Sequence, residues 1–166
     1  MMMMIVTLAA LVVSQAAPAP LLAPAPAPAV VRPPPPPDYR IAQPVAGIWS
    51  YSAVTDGSEA RFTGASNIVQ LALRCTRSTR RVTISKAASA PAPSLLVWTT
   101  GASRTLPAPG YDAAAGRLNV QLAAFDPLLD AMVFSRGRLA VGAGAAPALV
   151  VPPWPEIARV VEDCRL

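Results

Sequence analysis

The chain has 166 residues, a formal net charge of +5 and no histidine. Because histidine is the usual general base and the commonest neutral metal ligand, its absence disfavours catalysis and metal binding, and we expect no cofactor and no metal. Thirteen of the fourteen basic residues are arginines, which suits either an anion-binding surface or a GC-rich genome. The abundance of alanine and proline favours the second interpretation.

The first 16 residues have the features of a secretory signal peptide. Met1–Val13 is apolar but shorter than the roughly 20 residues that a stable membrane anchor needs. The small residues around Ala16 suit cleavage after that position, although no lysine or arginine precedes the apolar run. We expect a periplasmic or secreted protein without a nucleic-acid partner, and retention as an uncleaved anchor is the alternative.

Residues 17–40 alternate proline with alanine and carry almost no charge. Proline fixes φ and removes a backbone donor, so this segment should be an extended or disordered linker, with a short polyproline II rod at Pro33–Pro37. The remaining residues, 41–166, number about 125, a common size for a single domain.

Within residues 41–166, short runs of alternating apolar and polar side chains are separated by turn residues, which predicts strands. We expect an antiparallel β-sandwich or small barrel of about eight strands with two short helices, one of them C-terminal. The candidate strands are, in chain order, 47–53, 59–63, 68–75, 81–85, 94–100, 103–108, 117–123, 138–141 and 148–151.

Two segments change to a helical period. In the first, Asp126 is placed to cap a helix, Pro127 to open it and Gly137 to follow its end. The second begins at Pro155 and carries one apolar stripe. The stripe consists of Ile157, Val160, Val161 and Cys164.

The chain contains two cysteines, Cys75 and Cys164. Both are predicted to face the core, and in an exported chain this pattern indicates one disulfide. Closing a loop of about 90 residues contributes roughly 4.5 kcal/mol in the chain-entropy description. The alternative, a reactive thiol or half of a metal site, lacks a CxxC motif or a histidine to support it.

Four arginines crowd one predicted hairpin and form a candidate anion or partner patch. Arginine binds phosphate and carboxylate through two parallel hydrogen bonds, whereas a solvated face is the commoner meaning of such a run. These hairpin arginines are Arg74, Arg77, Arg80 and Arg81.

Other candidate groups have simpler structural interpretations. Asp126 and Asp130 are four residues apart, as paired catalytic or cation-binding carboxylates can be, but a helix cap and a first-turn acid explain them better. A catalytic dyad of Ser85 and Lys86 is conceivable but is disfavoured, because neighbouring strand residues point to opposite faces.

The layout resembles small exported β-sandwich proteins of Gram-negative bacteria, namely the invasion-associated locus B family and the type VI secretion-associated VasI/TagO-like family. The matching features are Gly47 and Trp49 at the start of the first strand, Arg74 and Cys75 at a strand end, and a helix over 155–164. The resemblance implies a disulfide-containing β fold in an exported protein, without a catalytic signature.

We therefore expect an exported, non-enzymatic binding or accessory protein of the cell envelope, whose partner is a protein or an envelope component. The alternative is a small periplasmic inhibitor of a lysozyme or protease, with Arg104 on an inhibitory loop over residues 99–112. An enzyme that uses only carboxylates, such as Asp112, Asp126 and Asp130, is a third hypothesis.

Overall fold

The computed structural model describes residues 38–108, 110–144 and 146–166. The predicted signal peptide, residues 1–16, lies outside the described residues, and so does the predicted linker, residues 17–40, except for its last three positions. Among the described residues, no helix is long and apolar enough to cross a membrane.

The described residues form ten strands in two antiparallel sheets, with two helices, so the predicted mainly β class is confirmed. The larger sheet has the order β1-β2-β3-β4-β8-β7 and the smaller one β10-β9-β5-β6. The two sheets do not close on each other in the described part of the chain, which favours the predicted sandwich over the barrel. The strands are β1 (Gly47–Val54), β2 (Gly57–Gly64), β3 (Val69–Thr76), β4 (Arg81–Ala87), β5 (Ser94–Thr99), β6 (Ser103–Pro107), β7 (Gly110–Asp112), β8 (Arg117–Ala123), β9 (Leu139–Ala143) and β10 (Leu149–Val151).

The strand count exceeds the prediction of about eight mainly because of β7. This three-residue strand has no apolar alternation of its own and exists because it pairs with Arg117–Asn119 of β8. Whether β7 forms therefore depends on pairing with another segment and not on a local sequence pattern.

Alternation across β3 and β4 sets the inward face of the larger sheet. In register, Cys75 lies opposite Val82 and Leu73 opposite Ile84, and all four are buried. The next inward pair should be apolar on both sides, but it places Leu71 opposite Lys86. The single lysine of the chain therefore sits in a row of core side chains.

Helix α1 (Pro127–Val133) begins as predicted, because the Leu128 N–H donates to Asp126 Oδ1 at 2.8 Å. It ends sooner than Gly137 suggested. Phe134 is the C-cap and its N–H donates to Asp130 O at 2.9 Å. Gly137 instead adopts φ +74° in the turn that leads into β9, a conformation that glycine tolerates at little cost.

Helix α2 (Pro155–Asp163) packs against β1, β2, β3 and α1 through its predicted apolar stripe. Cys164, just past its end, forms the predicted disulfide with Cys75, with their Cα atoms 5.4 Å apart. A single core cluster contains side chains from both sheets and both helices.

The segment before β1 lies along the smaller sheet. Tyr39 packs against Trp98 with ring centroids 5.8 Å apart, and the Val45 N–H donates to Val150 O at 2.8 Å. Contacts to the domain therefore include Tyr39, two residues before the predicted boundary at residue 41.

Candidate functional site

Two of the hairpin arginines bind the C-terminal part of the chain: Arg77 contacts the last residue of helix α2, and Arg80 contacts Leu166 beyond the helix. Arg77 Nε donates to Asp163 O at 3.3 Å, and Arg77 Nη2 lies 3.8 Å from Asp163 Oδ1. Arg80 Nη2 donates to Leu166 O at 3.5 Å. The last carbonyls of a helix lack intrahelical donors and carry partial negative charge, so cations are favourable there. Arg77 and Arg80 therefore have a structural role.

Arg74 and Arg81 are the other two hairpin arginines, and both are exposed. Arg74 Nη2 donates to Thr55 O at 3.3 Å, and Glu59 lies opposite Arg74 in the strand register. A carboxylate on the same face weakens the attraction of Arg74 for an external anion. The candidate patch is thus reduced to two side chains, and its function stays a prediction.

Asp163 is a second contact between α2 and the larger sheet. Tyr51 Oη donates to Asp163 Oδ2 at 2.6 Å, and the Arg159 guanidinium lies 3.9 Å from the Tyr51 ring centroid. Burial opposes ionisation of Asp163, but the hydrogen bond and the charges of Arg77 and Arg159 outweigh it and lower the pKa of its carboxyl. The Asp163 side chain is therefore a charged contact that holds α2 to the larger sheet.

Arg104, the candidate inhibitory residue, lies in β6 and not at a loop tip. Its Nη2 is 2.8 Å from both carboxylate oxygens of Asp126. Most of residues 99–112 forms β6, β7 and the end of β5, so this segment is largely part of the sheets. The inhibitor hypothesis stays a prediction, but Arg104 already has a partner within the chain.

The three candidate carboxylates each have a structural partner. Asp126 caps α1 and pairs with Arg104, Asp130 Oδ1 lies 2.8 Å from Arg165 Nη1, and Asp112 Oδ1 accepts from the Ala115 N–H at 3.0 Å. In residues 38–166 as described, no group of three or more Cys, Asp or Glu side chains is placed to hold a metal ion.

Lys86 is the functional candidate that the sequence interpretation missed. Its relative exposure is 8%, and its Nζ donates to Ala87 O at 3.1 Å. Burial lowers the pKa of the Lys86 ammonium. The strand alternation of Val82 and Ile84 was the signal that could have placed it inward. Ser85, as predicted, faces the other way, where its hydroxyl bonds Asn119.

Two cavities meet at Lys86, and we call them the Lys86 cavities. One, of about 320 Å³, is lined by the chain from Lys86 to Ala92 and by the end of β9. The other, of about 260 Å³, is lined by Val45, Gln70 and the segment Pro147–Leu149. Gln70 Oε1 is buried there without a hydrogen-bond partner. The Lys86 cavities therefore combine a buried cation with walls formed mainly by small side chains.

A smaller cleft of about 200 Å³ is lined by Arg40, Trp98, Thr100 and Arg138. Arg138 Nε already donates to Ala42 O at 2.6 Å, which fixes the segment before β1. This cleft joins two arginines to an aromatic ring, but one of the arginines serves the fold.

The Lys86 cavities are the strongest candidate site. The family resemblance stays an expectation. No protein-family model, no curated protein and no solved structure matches this chain.

Proposed function

We propose that the chain is an exported, non-enzymatic binding protein of the cell envelope, located in the periplasm or secreted. The observation that carries this proposal is the disulfide between Cys75 and Cys164. Disulfides form and persist in oxidising compartments and are rare in reducing cytoplasm. The signal-like features of residues 1–16 support the same compartment.

A binding role is supported by how the ionisable side chains are used. The carboxylates considered for catalysis are engaged in a helix cap, a turn or ion pairs with arginine. Lys86, in contrast, faces cavities between the two sheets. Concave, largely apolar sites with a few polar groups are the usual form of small-ligand sites.

The proposal is tested by expressing the full chain in a Gram-negative host and analysing the periplasmic fraction by mass spectrometry. Denatured protein is alkylated without reductant, so that free thiols gain mass. We expect cleavage after Ala16 and no alkylation of Cys75 or Cys164.

A variant with Leu8→Asp is the matched control, since a charge in the apolar run should block export. It should remain in the cytoplasm at full length with two alkylated thiols. If the unaltered chain gives that result as well, the proposed function is wrong.

A further inference from the structure

The row of inward-facing side chains on β4 ends with a charged residue, Lys86. Val82 and Ile84 are fully buried, and Lys86 continues their row at the point where the two sheets leave the Lys86 cavities between them. Burial removes part of the hydration of this ammonium, which is costly unless a partner replaces the water.

The chain itself provides no carboxylate for this ammonium. All nine aspartates and glutamates lie within the described residues, and the ion pairs that they form are all with arginine. The Lys86 ammonium has three donors, and one of them bonds a backbone carbonyl. Among the described residues, the other two donors have no hydrogen-bond partner, and Lys86 lines both cavities.

The walls around Lys86 select the size and polarity of a ligand. On one side they consist of the small residues from Ala87 to Ala92 and of Ala143 and Gly144. On the other side Leu149 and Val45 add apolar surface, and Gln70 contributes a polar side chain in addition to Lys86 and Ser89. A ligand with one acidic group and a short apolar chain would complement these walls and the Lys86 ammonium.

We propose that Lys86 is the anchor of a binding site for a small monocarboxylate with an apolar chain, held between the two sheets. The ligand carboxylate supplies the counter-charge that the chain lacks, and its apolar part covers the alanine-rich wall. Gln70 lines the same cavity, and its Nε2 group, not its Oε1, can donate to the second carboxylate oxygen. This inference rests on the proposed binding function and gives it a ligand class.

Lys86 is the only lysine, so one labelled atom reports on the site. The full chain is produced with lysine carrying ¹³C at Cε and is titrated with sodium octanoate, sodium acetate, inorganic phosphate and octyltrimethylammonium. We expect a saturable shift of the Lys86 Cε signal with octanoate. Acetate should bind at least about tenfold more weakly, because each buried methylene adds affinity. Phosphate and octyltrimethylammonium should leave the signal unchanged.

Calorimetric titration with octanoate provides the matched variants. Lys86→Met should abolish the heat of binding and Gln70→Leu should weaken binding severalfold, whereas Arg74→Met, on the outward face of β3, should bind as the unaltered chain does. The proposal is overturned if octanoate gives no saturable Cε shift, if phosphate binds as well as octanoate, or if Lys86→Met still binds.

The octanoate test and the export test can fail independently of each other. Failure of octanoate binding would remove the ligand class, while export and the Cys75–Cys164 disulfide would still be decided by the periplasmic mass analysis. Failure of export would leave the Cε titration of the purified chain interpretable.

Discussion

Lys86 is a residue whose burial works against folding. Its ammonium is transferred from water into a largely apolar setting with one carbonyl as its acceptor, and this lowers its pKa relative to the unfolded chain. The unfolded state then binds more protons than the folded state between the two pKa values. The free energy of unfolding therefore rises with pH through that interval.

We predict that Lys86→Met stabilises the domain at pH 7 by about 1–3 kcal/mol, since methionine fills similar space without an unmatched charge. The gain should shrink as the pH rises from the lowered folded pKa and vanish above the unfolded pKa of about 10.4, where the lysine is neutral in both states. Urea unfolding of both proteins at several pH values measures this. A gain that stays constant with pH would contradict the assignment of the cost to charge.

For Asp126 the charged form is the one that the fold stabilises, whereas for Lys86 the charged form is the one that burial destabilises. Burial opposes ionisation of Asp126, but the hydrogen bonds from Arg104 and the Leu128 N–H, together with the charge of Arg104, outweigh burial and lower the pKa of its carboxyl. The stabilisation is therefore complete above the unfolded pKa of about 3.9 and is lost as the pH falls through the folded pKa.

We predict that Asp126→Asn lowers the free energy of unfolding at pH 7 and that the difference shrinks as the pH falls from about 3.9 through the lower folded pKa. Asparagine still caps a helix, so Asp126→Ala should cost about 1 kcal/mol more through loss of the cap. Arg104→Gln should reproduce the pH dependence of Asp126→Asn. Equal stability of Arg104→Gln and the unaltered chain would show that the ion pair contributes nothing.

At the scale of elements, helix α2 is held to the larger sheet by three kinds of interaction. Its apolar stripe is buried, Cys164 is bonded to Cys75, and Asp163 is contacted by Tyr51 and Arg77. A C-terminal helix is prone to fray unless it is fixed in this way. The disulfide and the polar contacts all lie near its last turn.

We predict that the double variant Cys75→Ala, Cys164→Ala is less stable than the oxidised chain by up to about 4.5 kcal/mol, because the cross-link no longer restricts the unfolded chain. Urea unfolding measures the loss. A reductant should lower the stability of the unaltered chain and leave the double variant unchanged. Identical stability of the two oxidised samples would contradict this account.

We predict that Arg77→Ala speeds hydrogen exchange of the last turn of α2, with a cost of at most about 1 kcal/mol because the ion pair is exposed. Arg74→Ala is the matched control from the same hairpin and should leave exchange in α2 unchanged. If both variants act alike, the division of the hairpin arginines into structural and exposed pairs is wrong.

For the whole molecule, the inward face of the larger sheet is too wide for the smaller sheet alone. Helix α2 contacts β1, β2 and β3, and the four-stranded sheet shares the same core cluster. A sheet face left uncovered would expose a large apolar area to water. The domain therefore depends on its C-terminal residues for closure of the core.

We predict that a chain truncated after Pro153 fails to form a closed core, because it loses Ile157, Val160 and Val161 from the inward face. Binding of a hydrophobic dye such as ANS and loss of near-ultraviolet circular dichroism would report this. The Cys75→Ala, Cys164→Ala variant keeps the helix and should bind little dye. A truncated chain with a native-like spectrum would contradict the proposed closure.

The local features of the fold could be predicted from the residues alone. Alternation placed Leu73, Cys75 and Ile84 on the inward face, and the Asp126-Pro127 pair predicted where α1 begins. These features follow from backbone geometry within a few residues, since strand side chains alternate and a helix start needs a cap. The cysteine pair was also predictable, because only one intrachain pairing exists.

Which charged side chains have partners within the chain depends on how distant segments pack. Arg104 and Asp126 are 22 residues apart, and Arg77 and Asp163 are 86 apart, so no local pattern links them. The burial of Lys86 likewise depends on which strands and turns close around the end of β4. Alternation fixes the direction of a side chain, but its partners are fixed by how distant segments pack, and that packing turned the single lysine into the candidate site.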